Sequence, residues 1–222
     1  MNLIVAVDGP AGSGKSTISK MISKKLDLTY LDTGAMYRII TLKMMKLNID
    51  LDDENEILKV LNETIISVKD DEFYLDGENV NEEIRTREVS NNVSKVAMIR
   101  EVRENLVEQQ RQMARGKRVI LDGRDIGTVV FPDATVKIFL NATAGKRAKR
   151  RMKDYEEKGI KADYSSILEE IIRRDNIDEN RENSPLKKAE DAVEVDTTYL
   201  NIEQVVEKIE KIINKKIIDE ML

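Results

Sequence analysis

Leu3-Ile4-Val5-Ala6-Val7-Asp8-Gly9-Pro10-Ala11-Gly12-Ser13-Gly14-Lys15-Ser16-Thr17 is the stretch from which the fold is read. Its first residues form a short apolar, β-branched run of the kind that makes a buried strand, and residues 15–26 continue with helical spacing. A glycine-rich loop joining strand to helix matches Gly-x4-Gly-Lys-Ser, the Walker A pattern, at Gly9, Gly14, Lys15 and Ser16. Glycines let backbone N–H groups converge on phosphate oxygens without Cβ obstruction, and the helix start adds partial positive charge. Phosphate is the implied ligand of residues 9–17. Lys15 is expected to reach the β and γ phosphates and the Ser16 hydroxyl to ligate Mg²⁺.

Working outward, 222 residues suffice for one α/β body with insertions. No cysteine is present, which removes disulfides and thiolate metal sites. No histidine is present either, so the commonest general base, the Ser-His pair and His-ligated zinc are all excluded. Chemistry must run on Asp, Glu, Lys, Arg, Tyr and an oxygen-held metal, an inventory suited to phosphoryl transfer. The start of the chain has no basic n-region, no apolar run approaches the ~20 residues of a membrane span, and 36% of residues are charged. The expectation is a cytoplasmic protein with no membrane partner. A net charge of −5 argues against nucleic acid as a partner, although basic clusters can still bind phosphate locally.

Leu28–Leu31 reads as a second strand ending in Asp32-Thr33-Gly34-Ala35, and a helix then carries Met36, Ile39, Ile40, Met44 and Leu47, with Tyr37 and Arg38 in its first turns. In isolation Arg38 reads as a solvated charge, yet an arginine early in a helix opposes the dipole, and a bound anion nearby would explain it better than the fold does. Residues 53–62 are helical, and 65–68, 72–75 and 78–80 alternate as an antiparallel meander. Its turns fall at Lys69-Asp70-Asp71 and Asp76-Gly77. The meander is expected to be an insertion over about 62–85. Residues 88–115 return to helix, broken near Met98, with Arg100, Arg103 and Arg111 on the polar side.

Lys117–Asp122 is a strand ending in an acid, followed by Gly123-Arg124-Asp125-Ile126-Gly127 and a further strand at 135–140. Ligands bind outside the carboxyl ends of such strands, and a strand-terminal Asp122 fits a carboxylate that holds Mg²⁺, often through water. Thr143 can cap a helix bearing Lys146, Arg147, Lys149, Arg150, Arg151 and Lys153. Arg147 with Arg150 or Arg151 falls at i, i+3 or i, i+4, where guanidiniums share a face and can clamp a phosphate chain. After a turn at Lys158–Ala162, Ser166-x-x-Glu169 reads as a capping box that starts the next helix, which carries Arg174, Asp178 and Arg181. Helix, turn and helix read as a lid that excludes water. Strand 192–196 and an amphipathic helix with Ile202, Val205, Val206, Ile209, Ile212 and Ile213 toward the core close the chain.

Over essentially its whole length the chain resembles the bacterial cytidylate kinases, the type 1 (d)CMP kinases among the P-loop nucleoside monophosphate kinases. The matching segments are Val7–Thr17, Leu31–Arg38, Glu83–Thr86, Asp122–Ala134, and Arg174-Asp175 with Asp178 and Arg181. The resemblance implies a P-loop three-layer α/β fold with a parallel central sheet, with a core at about 1–33, 116–144 and 185–222. A monophosphate-binding region at about 34–115 and a lid at about 145–184 complete it. It implies ATP as donor, Mg²⁺ as cofactor, CMP and dCMP as acceptors, and a place in pyrimidine nucleotide metabolism. A monomer is expected. It also implies that Arg38, Arg124 and Arg181 hold the acceptor phosphate and that Ser94, Arg103 and Asp125 read cytosine. Tyr37, Arg174 and Asp178 would line the sugar, with Thr33 nearby. Lys15, Arg124, Arg181 and the lid arginines 147, 150 and 151 would then be the catalytic cations.

Two other readings are weighed against this one. A P-loop kinase acting on a hydroxyl, such as that of a shikimate-like acid, would use Asp32 as base and has little use for so many arginines. A regulatory P-loop NTPase would want switch segments and a residue to position water, and neither stands out.

Overall fold

The computed structural model describes residues 3–69, 72–157 and 159–221. Asp70 and Asp71 of the turn read at Lys69–Asp71, and Lys158 of the turn read at Lys158–Ala162, lie outside the described residues. The chain divides into two compact units, Met1–Leu31 with Ala114–Leu222, and Asp32–Met113.

The first unit is built on a five-stranded sheet. Its strands are β1 (Ile4–Asp8), β2 (Thr29–Asp32), β6 (Val119–Gly123), β7 (Val136–Asn141) and β8 (Val193–Asp196), in the order β2-β6-β1-β7-β8. β1 pairs in parallel with β6, Ile4 opposite Val119, and with β7, Val5 opposite Val136, while β7 pairs in parallel with β8. A strand with parallel neighbours on both sides is covered on both faces, and Val5, Ala6 and Val7 are accordingly all buried. α1 (Lys15–Leu26) and α8 (Ile202–Met221) contribute Ile18, Ile22, Val205, Val206, Ile209 and Ile213 to the core that includes Val5 and Val7. Ile202, read as core-facing, is instead half exposed at the start of α8; the apolar period is right, but the first turn overhangs the core.

α6 (Ala144–Glu157) and α7 (Tyr164–Asn180) pack together around Ala148, Ile167 and Ile171. α7 begins earlier than the Ser166 capping box predicts. Asp163 is its N-cap and accepts from Ser165 N at 2.8 Å and Ser166 N at 3.0 Å. A carboxylate that satisfies two orphan N–H groups outcompetes a hydroxyl that satisfies one. The connection from β6 to β7 contains a π-type turn at Ile126–Val130, where Phe131 N donates to Ile126 O at 2.7 Å; nothing in the residue pattern announces it.

The second unit opens with α2 (Thr33–Lys46) and α3 (Glu54–Glu63), N-capped by Asp32 and Asp53. Strands β3 (Ile66–Lys69), β4 (Glu72–Leu75) and β5 (Glu78–Asn79) follow as an antiparallel meander. Asp76 and Gly77 join β4 to β5 with φ of 52° and 90°, the pair of positive angles that a two-residue type I′ hairpin turn needs. α4 (Arg87–Val96) and α5 (Arg100–Ala114) are separated at Ala97–Ile99, the break read near Met98. Ile39, Ile40, Met44, Val93, Val102 and Leu106 are among the residues of this unit's own core. Arg103, expected on the polar side of α5, is only 4% exposed; the heptad-scale pattern marks it polar, but it lies on the face of buried Val102 and Leu106. Among the described residues no helix is long and apolar enough to cross a membrane.

Candidate active site

The loop after β1 is shaped by backbone that only glycine tolerates. Gly9 has φ of +148°, and a Cβ there would lie 2.0 Å from Leu140 O, so the loop passes directly over the main chain of β7. α1 starts from Gly14 in the left-handed region, with no side-chain cap and no acid in its first turn. Its first N–H groups therefore remain available to an anion. Ser13 Oγ is buried and has no hydrogen-bond partner among the described residues. Lys15 is 6% exposed and its Nζ donates to Gly9 O and Pro10 O, both at 2.8 Å. Burial, and next the charge of Arg124, hold its ammonium well below the usual lysine range, against the pull of Asp122 and Asp8. A polyanion would reverse that balance.

Ser16 Oγ donates to Asp122 Oδ2 at 2.8 Å and Tyr30 OH donates to Asp122 Oδ1 at 2.7 Å, so the β6 carboxylate is aimed by two neutral donors. A hydroxyl beside a buried carboxylate is a hard-oxygen pair, which fits Mg²⁺ held largely by phosphates and water. Thr17 is exposed on α1. Asp8, at the end of β1, accepts from Ile126 N and Gly127 N at 2.8 Å each, which ties the strand before the loop to the turn after Arg124 and Asp125. Burial pushes its carboxyl up to about 7, despite these two hydrogen bonds.

Five of the expected residues meet in this same unit. Arg124 Nε donates to Asp178 Oδ2 at 2.9 Å, Arg174 Nε lies 4.0 Å from that oxygen, and Arg181 Nη2 is 3.7 Å from Asp125 Oδ1. Asp125, Asp178 and Arg181 are all buried. Burial alone would raise Asp178, but Arg124 and Arg174 outweigh it and hold the carboxyl below its usual range. These contacts bring three guanidiniums to two carboxylates, and guanidiniums are the side chains suited to recognising phosphate.

The three arginines of α6 separate into different roles. Arg147 is buried; its Nε donates to Ala142 O at 2.9 Å, its Nη1 to Ala11 O at 3.1 Å, and its fork grips Asp175 at 3.0 and 2.6 Å. Arg150 reaches Ser13 O at 3.3 Å and Thr197 O at 2.7 Å. Arg151 instead lies over Tyr155, with Nε donating to its hydroxyl at 3.1 Å. Two of the three arginines thus brace carbonyls of the glycine loop.

In the second unit, Thr33 opens α2 and is buried, as is Tyr37, while Arg38 is half-buried. Arg103 stacks over the Tyr37 ring at 5.4 Å and donates to Ala97 O at 3.2 Å. Ser94 is buried on α4. Asp32 Oδ1 accepts from Ala35 N at 2.8 Å and so acts as a helix cap.

A sequence profile described as "Cytidylate kinase" matches residues 5–215. The chain belongs to the cytidylate kinase family. A cytidylate kinase of Clostridioides difficile (strain 630) is 54% identical over 213 residues, 96% of this chain and 99% of that one. One of Fusobacterium nucleatum subsp. nucleatum is 54% identical over 214 residues, 96% and 98% of the two chains. A crystal structure of an uncharacterized protein from Eubacterium ventriosum, 12% identical, covers 97% of this chain and 99% of its own with a TM-score of 0.53, a likeness of fold.

Within this cytidylate kinase family member, the residues that sequence reasoning passed over are Asp8, Tyr30 and Asp175. Asp8 carries the same signal as Asp122, an acid at the end of a buried strand. Asp175 sits inside the quoted Arg174-Asp175 pair. Tyr30 has no signal, since a tyrosine on a short strand is ordinarily packing.

Proposed function

We propose that this protein transfers the γ-phosphoryl group of ATP to CMP and dCMP, giving CDP and dCDP. The observation that carries the reading is the cytidylate kinase match over residues 5–215, on a chain whose Arg124, Arg174 and Arg181 gather around Asp178 and Asp125. The acceptor is a phosphate whose second pKa is near ~6, so at neutral pH its oxygen is already ionised and needs no base. Repulsion between two polyanions is the barrier that remains, and cationic side chains lower it while stabilising charge on the transferring group.

In this reading residues 9–17 cradle the triphosphate, and Lys15 leaves the carbonyls of Gly9 and Pro10 for the phosphate oxygens. Ser16, and Asp122 through water, would hold Mg²⁺, which supplies charge neutralisation on the phosphates when bound. Arg38, Arg124 and Arg181 hold the acceptor phosphate. Ser94, Arg103 and Asp125 read cytosine, and Tyr37, Arg174 and Asp178 line the sugar, with Thr33 nearby. Arg147, Arg150 and Arg151 serve the donor side, the first two by way of the loop carbonyls they already brace. Residues of about 34–115 are the monophosphate-binding region and about 145–184 the lid. The protein is read as a cytoplasmic monomer, and the net charge of −5 weighs against a nucleic-acid partner. The bond from Asp32 to Ala35 N weighs against a hydroxyl kinase, because the base that chemistry needs is engaged as a cap.

Turnover in a coupled assay across CMP, dCMP, UMP, AMP, GMP and shikimate tests the reading. The cytidine nucleotides should dominate, and equal rates with AMP would overturn it.

A further inference from the structure

Helix α7 carries three carboxylate or guanidinium contacts on successive turns, and each goes to a different part of the reacting machinery. Asp175 grips Arg147, whose Nη1 donates in turn to Ala11 O of the donor loop. Asp178 accepts from Arg124. Arg181, the residue that caps the helix end, lies 3.7 Å from Asp125. The spacing of three residues puts the first two on one face, and residues 175 to 181 span about 9 Å along the axis. Arg147 is also laid flat on the loop, with its Cβ 3.4 Å from where a Gly12 side chain would begin. Any change in the loop's course is therefore felt by a bidentate pair, of buried Arg147 with partly buried Asp175, and passed to a stiff helix.

We infer that Asp175 is a positioning residue that couples donor binding to acceptor binding through the Arg147–Ala11 contact at one end of its helix and the Arg124 and Arg181 contacts at the other. Removing the bidentate grip leaves both substrate sites assembled but lets the loop and the helix settle independently. The alternative is an ordinary structural ion pair, which would affect stability without affecting how one ligand changes affinity for the other. The inference rests on the ATP and CMP reading above.

The test is calorimetric. The Kd of CMP is measured with and without a non-hydrolysable ATP analogue and magnesium, in the intact protein and in Asp175→Asn, Asp175→Glu and Arg147→Lys. The wild-type chain should show a coupling factor in the range of about 5- to 150-fold. Asp175→Asn should bring it to within about twofold of unity, Arg147→Lys should at least halve it, and Asp175→Glu should retain part of it. Thermal unfolding reports whether each variant folds, and if Asp175→Asn does not, the other two decide. A wild-type factor near unity, or variants that keep the wild-type factor, would overturn the coupling role. Failure of CMP to bind the wild-type chain at all would instead overturn the assignment of the substrate.

Discussion

Replacing Gly9 by alanine tests whether the glycine loop is held in place by the sheet beneath it. The added methyl carbon would lie 2.0 Å from Leu140 O and 3.0 Å from Leu140 C, both main-chain atoms. Ordinary contact begins at 3.4 Å, so something has to retreat by about 1.4 Å. β7 cannot yield cheaply, because it is paired with β1 on one side and β8 on the other. The loop must move instead, and φ of +148° adds roughly 1–3 kcal/mol of strain for an alanine. A displacement on the order of 1 Å in a group that positions reacting atoms can cost on the order of a hundredfold in rate. We expect Gly9→Ala to lower kcat/KM for CMP phosphorylation by about that factor in a coupled assay, and to lower Tm by about 2–4 °C per kcal/mol of strain. Gly77→Ala is the control: its φ is also positive, at +90°, but nothing lies within 4 Å of the new carbon. It should lose about 1 kcal/mol of stability and no activity. A Gly9→Ala variant with activity within tenfold of wild type and an unchanged Tm would refute the argument.

Asp178→Ala removes the carboxylate shared by Arg124 and Arg174 in a largely buried setting; unfolding in urea should show a loss of about 3–5 kcal/mol at neutral pH. Because Asp178 is held below its ordinary value of 3.8, its contribution is present above that value and lost as pH falls below it. Wild type and variant should therefore converge in stability toward acid, and a gap that stays constant with pH would rule this out. Asp8 behaves in the opposite sense. Its folded carboxyl keeps a proton up to about pH 7, whereas the unfolded one releases it near 3.8, so between those values the native state binds more protons and this group's contribution to stability declines as pH rises. Asp125 and Lys15 are the charged groups that act on it. Urea midpoints of wild type and Asp8→Asn from pH 4.5 to 8 should show the wild type losing stability relative to the variant up to about pH 7, and parallel curves would contradict the buried carboxyl's role.

Local patterns by themselves determined the elements that sit on a period or a motif. Val5-Ala6-Val7 before a glycine loop, the Asp76-Gly77 hairpin and the break near Met98 each depend on interactions within a few residues, so they are legible from residue order. The antiparallel meander and the strand-terminal position of Asp122 follow in the same way. The tertiary structure decided what those patterns leave degenerate. Arg174 and Asp178 stand four residues apart, a spacing at which a helix pairs such side chains with each other, yet Asp178 is buried and bound more closely to Arg124, 54 residues away. A basic helix reads as a phosphate clamp, yet Arg147 spends its fork on Asp175 and its remaining reach on loop carbonyls. The charge on these side chains is written in the sequence, but the partner that satisfies it is chosen by burial. In a low-dielectric interior each charge must be matched by whatever residue the fold brings within reach, and sequence separation has no bearing on that choice.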